Sequence, residues 1–168
     1  PDSGSELTID SMGVCAGDLD MNGHIDIYCT NLPTGNALLA SDDSLHYTRR
    51  DGEAGVRGLS TGWAPLIFDA DNDVDQDLFA CSMTGAPDYL WLTEQGFPLI
   101  ESQAACGIGD PDDSYCLGAS DIDSDGDVDL LMQSRGVNLR MYVNTTPQGN
   151  NGLTLRIIGV GNNTHAVG

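Results

Sequence analysis

The chain has almost no positive charge. Its 168 residues carry six Lys and Arg against 26 Asp and Glu, for a formal net charge of −20 at pH 7. Without a basic face to neutralise phosphates, nucleic acid is not expected as a partner, and anionic membrane surfaces are disfavoured for the same reason. No apolar run approaches the roughly 20 residues of a membrane-spanning helix, so no membrane span is expected. Sustained 3.6-residue periodicity is missing too, while Gly is abundant at 21 residues; no helix is expected. The three histidines, His24, His46 and His165, are scattered, and none accompanies a Ser or Cys nucleophile in a recognisable arrangement. Paired carboxylates for glycoside hydrolysis must stand about 5–9.5 Å apart with one held protonated. The clustered carboxylates of this chain read better as ionised ligands, and an enzyme is not expected.

What the chain does have is an aspartate comb, three times over. The first holds Asp18, Asp20, Asn22, His24 and Asp26; the second Asp69, Asp71, Asp73, Asp75 and Asp77; the third Asp121, Asp123, Asp125, Asp127 and Asp129. Numbered from its first Asp, each comb offers side-chain oxygens at positions 1, 3, 5 and 9. That spacing suits calcium, which takes six to eight hard oxygen ligands in flexible geometry. Position 7 contributes its backbone carbonyl, so His24, Asp75 and Asp127 can share it. Magnesium demands a stricter octahedron, and zinc or copper would want imidazole or thiolate clusters that these loops lack. Three calcium ions are expected. Position 6 must turn sharply with φ > 0, which Gly23 and Gly126 allow; at Val74 either the second loop turns differently or it stores strain. The combs hold thirteen of the 26 acidic residues, so without metal like charges crowd each loop, and metal binding becomes part of the folding free energy.

An EF-hand loop opens with the same spacing but ends on an acid at position 12. Here position 12 is Cys29, Ala80 or Met132. Short apolar, partly β-branched or aromatic runs flank each comb instead, at 13–17 and 25–29, 64–68 and 77–81, and 116–120 and 128–132. Each loop is therefore expected at the tip of a β-hairpin. A third strand candidate follows at 36–39, 88–91 and 138–141. The combs recur after 51 and 52 residues, and about four short strands per unit is the composition of a propeller blade. The expected fold is all-β, three four-stranded propeller blades forming a partial or open propeller.

These units resemble FG-GAP/VCBS repeats, the blades of integrin-α-type β-propellers. The family pattern Gly-Asp-x-Asp-x-Asn/Asp-Gly-x-x-Asp-hydrophobic, then Asn-x-Leu, then Ala-Gly-Val, stands here as Gly17-Asp18 through Ile27, Asn36 through Leu39, and Ala54-Gly55-Val56. Val74 and Gln76 depart from the usual Gly and apolar residue. The tail, at 150–159 and 162–168, resembles the start of the ASPIC/UnbV segment that follows such repeats in proteins similar to cartilage acidic protein. The resemblance implies repeats over 1–146 and that segment over 147–168. Three blades cannot close a propeller, which typically needs four to eight. Further blades of a longer precursor, or neighbouring copies of the chain, are expected to complete it.

Five cysteines and a taste for calcium point to a secreted, extracellular setting. Cys106 and Cys116 bracket a Gly/Asp/Pro-rich loop and are the best candidate disulfide; Cys15 and Cys29 could face each other across the first hairpin, leaving Cys81 over. Buried thiols are the alternative for Cys15, Cys29 and Cys81. Asn144 and Asn162 open glycosylation sequons. Trp63, Trp91, Tyr89 and Phe97 could line a sugar-binding face, but at strand positions they are expected in the core. The expected function is a calcium-stabilised interaction or adhesion module for an extracellular protein or glycan. The alternatives are a repeating subunit of a fibre or matrix, and a non-catalytic part of a polysaccharide-active enzyme.

Overall fold

The computed structural model describes residues 3–32, 35–43, 45–108 and 112–147. The expected ASPIC/UnbV-like tail, the Asn162 sequon and His165 lie outside the described residues. Three antiparallel sheets follow one another along the chain. The first holds β1 (Asp10–Gly17), β2 (Asp26–Leu32), β3 (Ala37–Asp43) and β4 (His46–Arg49); the second β5 (Gly62–Phe68), β6 (Asp77–Ser82), β7 (Tyr89–Leu92) and β8 (Ile100–Glu101); the third β9 (Ser114–Ser120), β10 (Asp129–Ser134) and β11 (Arg140–Tyr142). Every sheet is a meander in chain order, and none is closed on itself. Among the described residues the third sheet has three strands where the other two have four. Each comb joins the first two strands of its sheet, whose ladders close directly against the loop at Gly17 opposite Asp26, Phe68 opposite Asp77 and Ser120 opposite Asp129.

Alternation along β6 and β7 explains how the sheets stack. Leu78, Ala80, Tyr89 and Trp91 join Tyr28, Leu38, Val56 and Leu99 in a core between the first two sheets. Their neighbours Phe79, Cys81 and Leu90 face the other way and pack on Leu130 and Met132 of the third. The whole of β6 is accordingly buried, as expected of a strand with both faces covered. Strands β1, β5 and β9, the first of each sheet, lie side by side through the stack. Trp91 is 1% exposed and stacks on Tyr89 with ring centroids 4.7 Å apart; these two aromatics are core, not a sugar platform. Trp63 and Phe97 are half-buried against the same two cores.

Two expectations fail. The chain does form helices, α1 (Asp51–Ala54) and α2 (Gln103–Cys106), each a single turn after the last strand of a sheet. Four residues cannot display a 3.6-residue period. Their only mark in the sequence is the glycine that ends each, Gly55 at φ 74° and Gly107 at φ 73°, in the left-handed conformation that glycine adopts without penalty. The expected disulfides are also absent, and all five cysteines are free thiols. The register sets Cys15 opposite Tyr28 and Cys29 opposite Val14. That offset of one residue sends the two thiols to opposite faces of the sheet. Cys106 lies at the end of α2 beside a cavity between the second and third sheets. Cys116 pairs with exposed Gln133 and points away from the face that carries Leu117 into the core.

Candidate metal loops

The three combs share one framework of hydrogen bonds. The position-1 carboxylate caps the turn by accepting the N–H groups of positions 5 and 6. Asp18 accepts from Asn22 (3.0 Å) and Gly23 (2.9 Å), Asp69 from Asp73 (3.2 Å) and Val74 (3.1 Å), and Asp121 from Asp125 (3.1 Å) and Gly126 (3.2 Å). The position-5 side chain then accepts the N–H of position 7, with His24 donating to Asn22 (2.8 Å), Asp75 to Asp73 (3.1 Å) and Asp127 to Asp125 (3.0 Å). These are local Asx turns, the property that makes Asp and Asn good loop residues.

Position 9 has a different task. Its two oxygens tie the loop's second residue to the end of the third strand. Asp26 accepts from Leu19 (3.0 Å) and Ser41 (2.9 Å), Asp77 from Ala70 (2.7 Å) and Thr93 (2.8 Å), and Asp129 from Ile122 (2.8 Å) and Asn144 (2.9 Å). All three carboxylates are fully buried. Ser41, Thr93 and Asn144 contribute only backbone N–H groups here, so no side-chain signal marks them in the sequence.

Backbone conformation repeats as well. Position 6 is left-handed in every loop, at φ 86° in Gly23, 81° in Val74 and 102° in Gly126. The second loop therefore turns like the others and holds a β-branched residue where glycine belongs. Position 4 is left-handed too, at φ 60° in Met21, 62° in Asn72 and 67° in Ser124. These three side chains share no chemistry, and this second turn is invisible in the sequence.

The carboxylates of positions 1, 3 and 9 converge. In each of Asp18–Asp20–Asp26, Asp69–Asp71–Asp77 and Asp121–Asp123–Asp129, one oxygen from each residue lies within 4.8 Å of the others. Positions 5 and 7 were expected to complete the set. Asn22, Asp73 and Asp125 turn one oxygen onto the loop backbone, as described above. At position 7, His24, Asp75 and Asp127 have their N–H groups bound to position 5. Three carboxylates in contact distance repel one another unless protonated or bridged by a cation. Burial pushes Asp20, Asp26, Asp71 and Asp123 above the usual carboxylate range, with neighbouring Asp charges adding to it. Burial pushes Asp77 up to about 7 despite its two N–H donors. Asp129 accepts an equivalent pair of N–H bonds in the terminal sheet, with less protein around it, and those bonds hold it below the usual range. Asp20 Oδ1 and Asp71 Oδ1, both at position 3, are buried and accept no hydrogen bond. Buried carboxylate oxygens without donors are costly. The donor set of hard oxygens at each loop, with these two orphans among them, fits a hard divalent cation.

No family model matches the sequence, and no curated protein matches it closely enough to identify a relative.

Proposed function

We propose that the chain is a run of three FG-GAP/VCBS-type propeller blades from an extracellular protein, each blade locked by one structural calcium ion, and that it serves as a non-catalytic interaction or adhesion module. One observation carries the reading: the same hydrogen-bonded loop, with three converging carboxylates, is built three times at the same place in three successive sheets. The side-by-side first strands and meandering sheets are what successive blades around a common axis require. Asp18, Asp20, Asn22 and Asp26 would hold the first ion, Asp69, Asp71, Asp73 and Asp77 the second, and Asp121, Asp123, Asp125 and Asp129 the third. His24, Asp75 and Asp127 add carbonyls. When bound, the ion supplies positive charge where burial and repulsion would otherwise oppose ionised carboxylates. The free thiols lend no support to an oxidising compartment, so the extracellular setting rests on the calcium loops, because calcium reaches millimolar levels outside cells. Calcium should raise the melting temperature of the stripped protein markedly; an unchanged melting curve between excess calcium and excess EGTA rules the reading out.

A second reading, assembly of copies into a fibre or matrix, is favoured by one feature. The outer faces of the first and third sheets expose Val14 (64%) and the cross-strand pair Leu131 (37%) and Met141 (53%). Sizing at millimolar calcium separates the two: a monodisperse monomer excludes self-assembly.

A further inference from the structure

The three loops are not independent. The second touches both of the others, through the residues by which it departs from its siblings. At position 8, where the first and third loops carry Ile25 and Val128, it carries Gln76. Gln76 Oε1 accepts the backbone N–H of Asp18, the position-1 residue of the first loop, at 2.7 Å. The approach is close enough that a Cβ on Gly17 would stand 2.4 Å from Gln76 Oε1. Meanwhile the Gln76 carbonyl accepts from Thr93 Oγ1 (2.7 Å), whose own N–H binds position-9 Asp77. At position 4, where the siblings have Met21 and Ser124, the second loop has Asn72. Its Nδ2 donates to Asp127 Oδ1, position 7 of the third loop, at 2.8 Å across 55 residues of chain. A further bridge returns from the third sheet. The Asn144 N–H binds position-9 Asp129, while its Nδ2 donates to the Ala70 carbonyl of the second loop at 2.9 Å.

We propose that these bridges couple the three metal loops, so that calcium fills them cooperatively with the second loop as the relay, and that Gln76 and Asn72 are positioning residues for sites other than their own. This rests on the calcium reading above. The physical basis is that a loop ordered by its ion presents the donor or acceptor that fixes a ligand residue of its neighbour. Ordering one loop thus removes part of the cost of ordering the next. Each bridge is a single hydrogen bond between backbone or side-chain groups of two loops. Its loss should weaken the neighbouring site by about 2- to 10-fold, the effect of one ordinary hydrogen bond.

The experiment is a calcium titration of the metal-stripped full chain, read by amide NMR shifts of Gly23, Val74 and Gly126, one reporter per loop, with calorimetry for stoichiometry. In the unmodified protein the three amides should shift together, at one midpoint and with a Hill coefficient above 1. Gln76→Leu should separate the Gly23 midpoint from the other two, and Asn72→Ser should separate that of Gly126, with three ions still bound in each variant. Three ions bound with separate, non-cooperative midpoints in the unmodified protein would overturn the coupling and leave the calcium reading intact. No binding at any loop would overturn both. The unmodified protein alone decides the matter even where a variant does not fold.

Discussion

Val74 stands at φ 81° with its side chain 82% exposed, so it packs against little and still holds a conformation that costs a β-branched residue about 1–2 kcal/mol. Val74→Gly removes that strain and adds back the conformational entropy of glycine in the unfolded chain, about 0.5–1 kcal/mol. The balance predicts a small gain, with Tm raised by about 2 °C in saturating calcium; a lower Tm by calorimetry would show that the valine side chain has a role in the loop that its exposure does not reveal. Positions 3 and 9 make a sharper pair. Asp77 accepts two backbone N–H groups and Asp71 leaves a buried oxygen without any. In metal-free protein, Asp77→Asn should therefore destabilise by about 1–3 kcal/mol, since an amide NH2 must face an N–H donor. Asp71→Asn, which removes a crowded charge, should be neutral or stabilising in the same denaturant series. With calcium present both should weaken binding. The comb spacing singles out positions 1, 3 and 9, whose carboxylates converge, along with position 5, whose side chain turns one oxygen onto the loop backbone. It gave no sign that position 9 is first a structural clamp, because its partners Ser41, Thr93 and Asn144 act through backbone that any residue possesses.

At the scale of elements, period-2 alternation decides which side chain is core. Leu130 and Leu131 are neighbours on β10, yet Leu130 is 3% exposed in the second core and Leu131 is 37% exposed on the outer face. Leu130→Ala should cost about 2–5 kcal/mol, and Leu131→Ala should stay within about 0.5 kcal/mol; equal losses in urea titrations would mean that the third sheet's outer face is covered in solution. The strands themselves were legible. All nine flanking and following runs read from the sequence became strands, because each combines a short apolar run with Gly, Pro, Asp or Asn at its ends. What stayed illegible was register and anything of one turn. Cys15 and Cys29 are symmetric about the comb in sequence, but the ladder offsets them by one residue, and no pattern of residue types shows an offset that small. The single-turn helices α1 and α2 are too short for periodicity, and a lone glycine such as Gly55 or Gly107 shows a stop without the helix it stops. The cysteines yield a check of the packing. Burial pushes the Cys15 thiol up to about 12 and that of Cys81 higher still, so both should resist iodoacetamide at pH 8 in the folded protein while exposed Cys116 reacts, as read by mass spectrometry.

The whole molecule carries 26 acidic residues, half of them in the combs, and its stability is tied to what neutralises them. Burial, with adjacent carboxylates adding to it, pushes Asp75 and Asp77 up to about 7, against about 4 in an unfolded chain. Between those values the folded state binds more protons than the unfolded state, so stability falls as pH rises. Metal-stripped protein should therefore melt at lower temperature at pH 8 than at pH 5. Asp129, whose shift is downward, acts only below about pH 4 and leaves this window alone. Excess calcium should flatten or reverse the trend, because the ion needs deprotonated ligands and protons compete with it. The repeat length, the all-β class and the three-sheet order could all be read from the sequence, since each depends on a spacing. The chaining of the loops could not, since Gln76 and Asn72 look like simple departures from the pattern until the sheets are stacked. The most direct test of the account is to count the ions. Native mass spectrometry of the chain, stripped and then returned to millimolar calcium, should show three bound calcium ions, falling to two when Asp121 and Asp123 are both replaced by Asn. A chain that binds none, or that binds the same number with magnesium at equal concentration, would contradict the claim that these three loops are calcium sites.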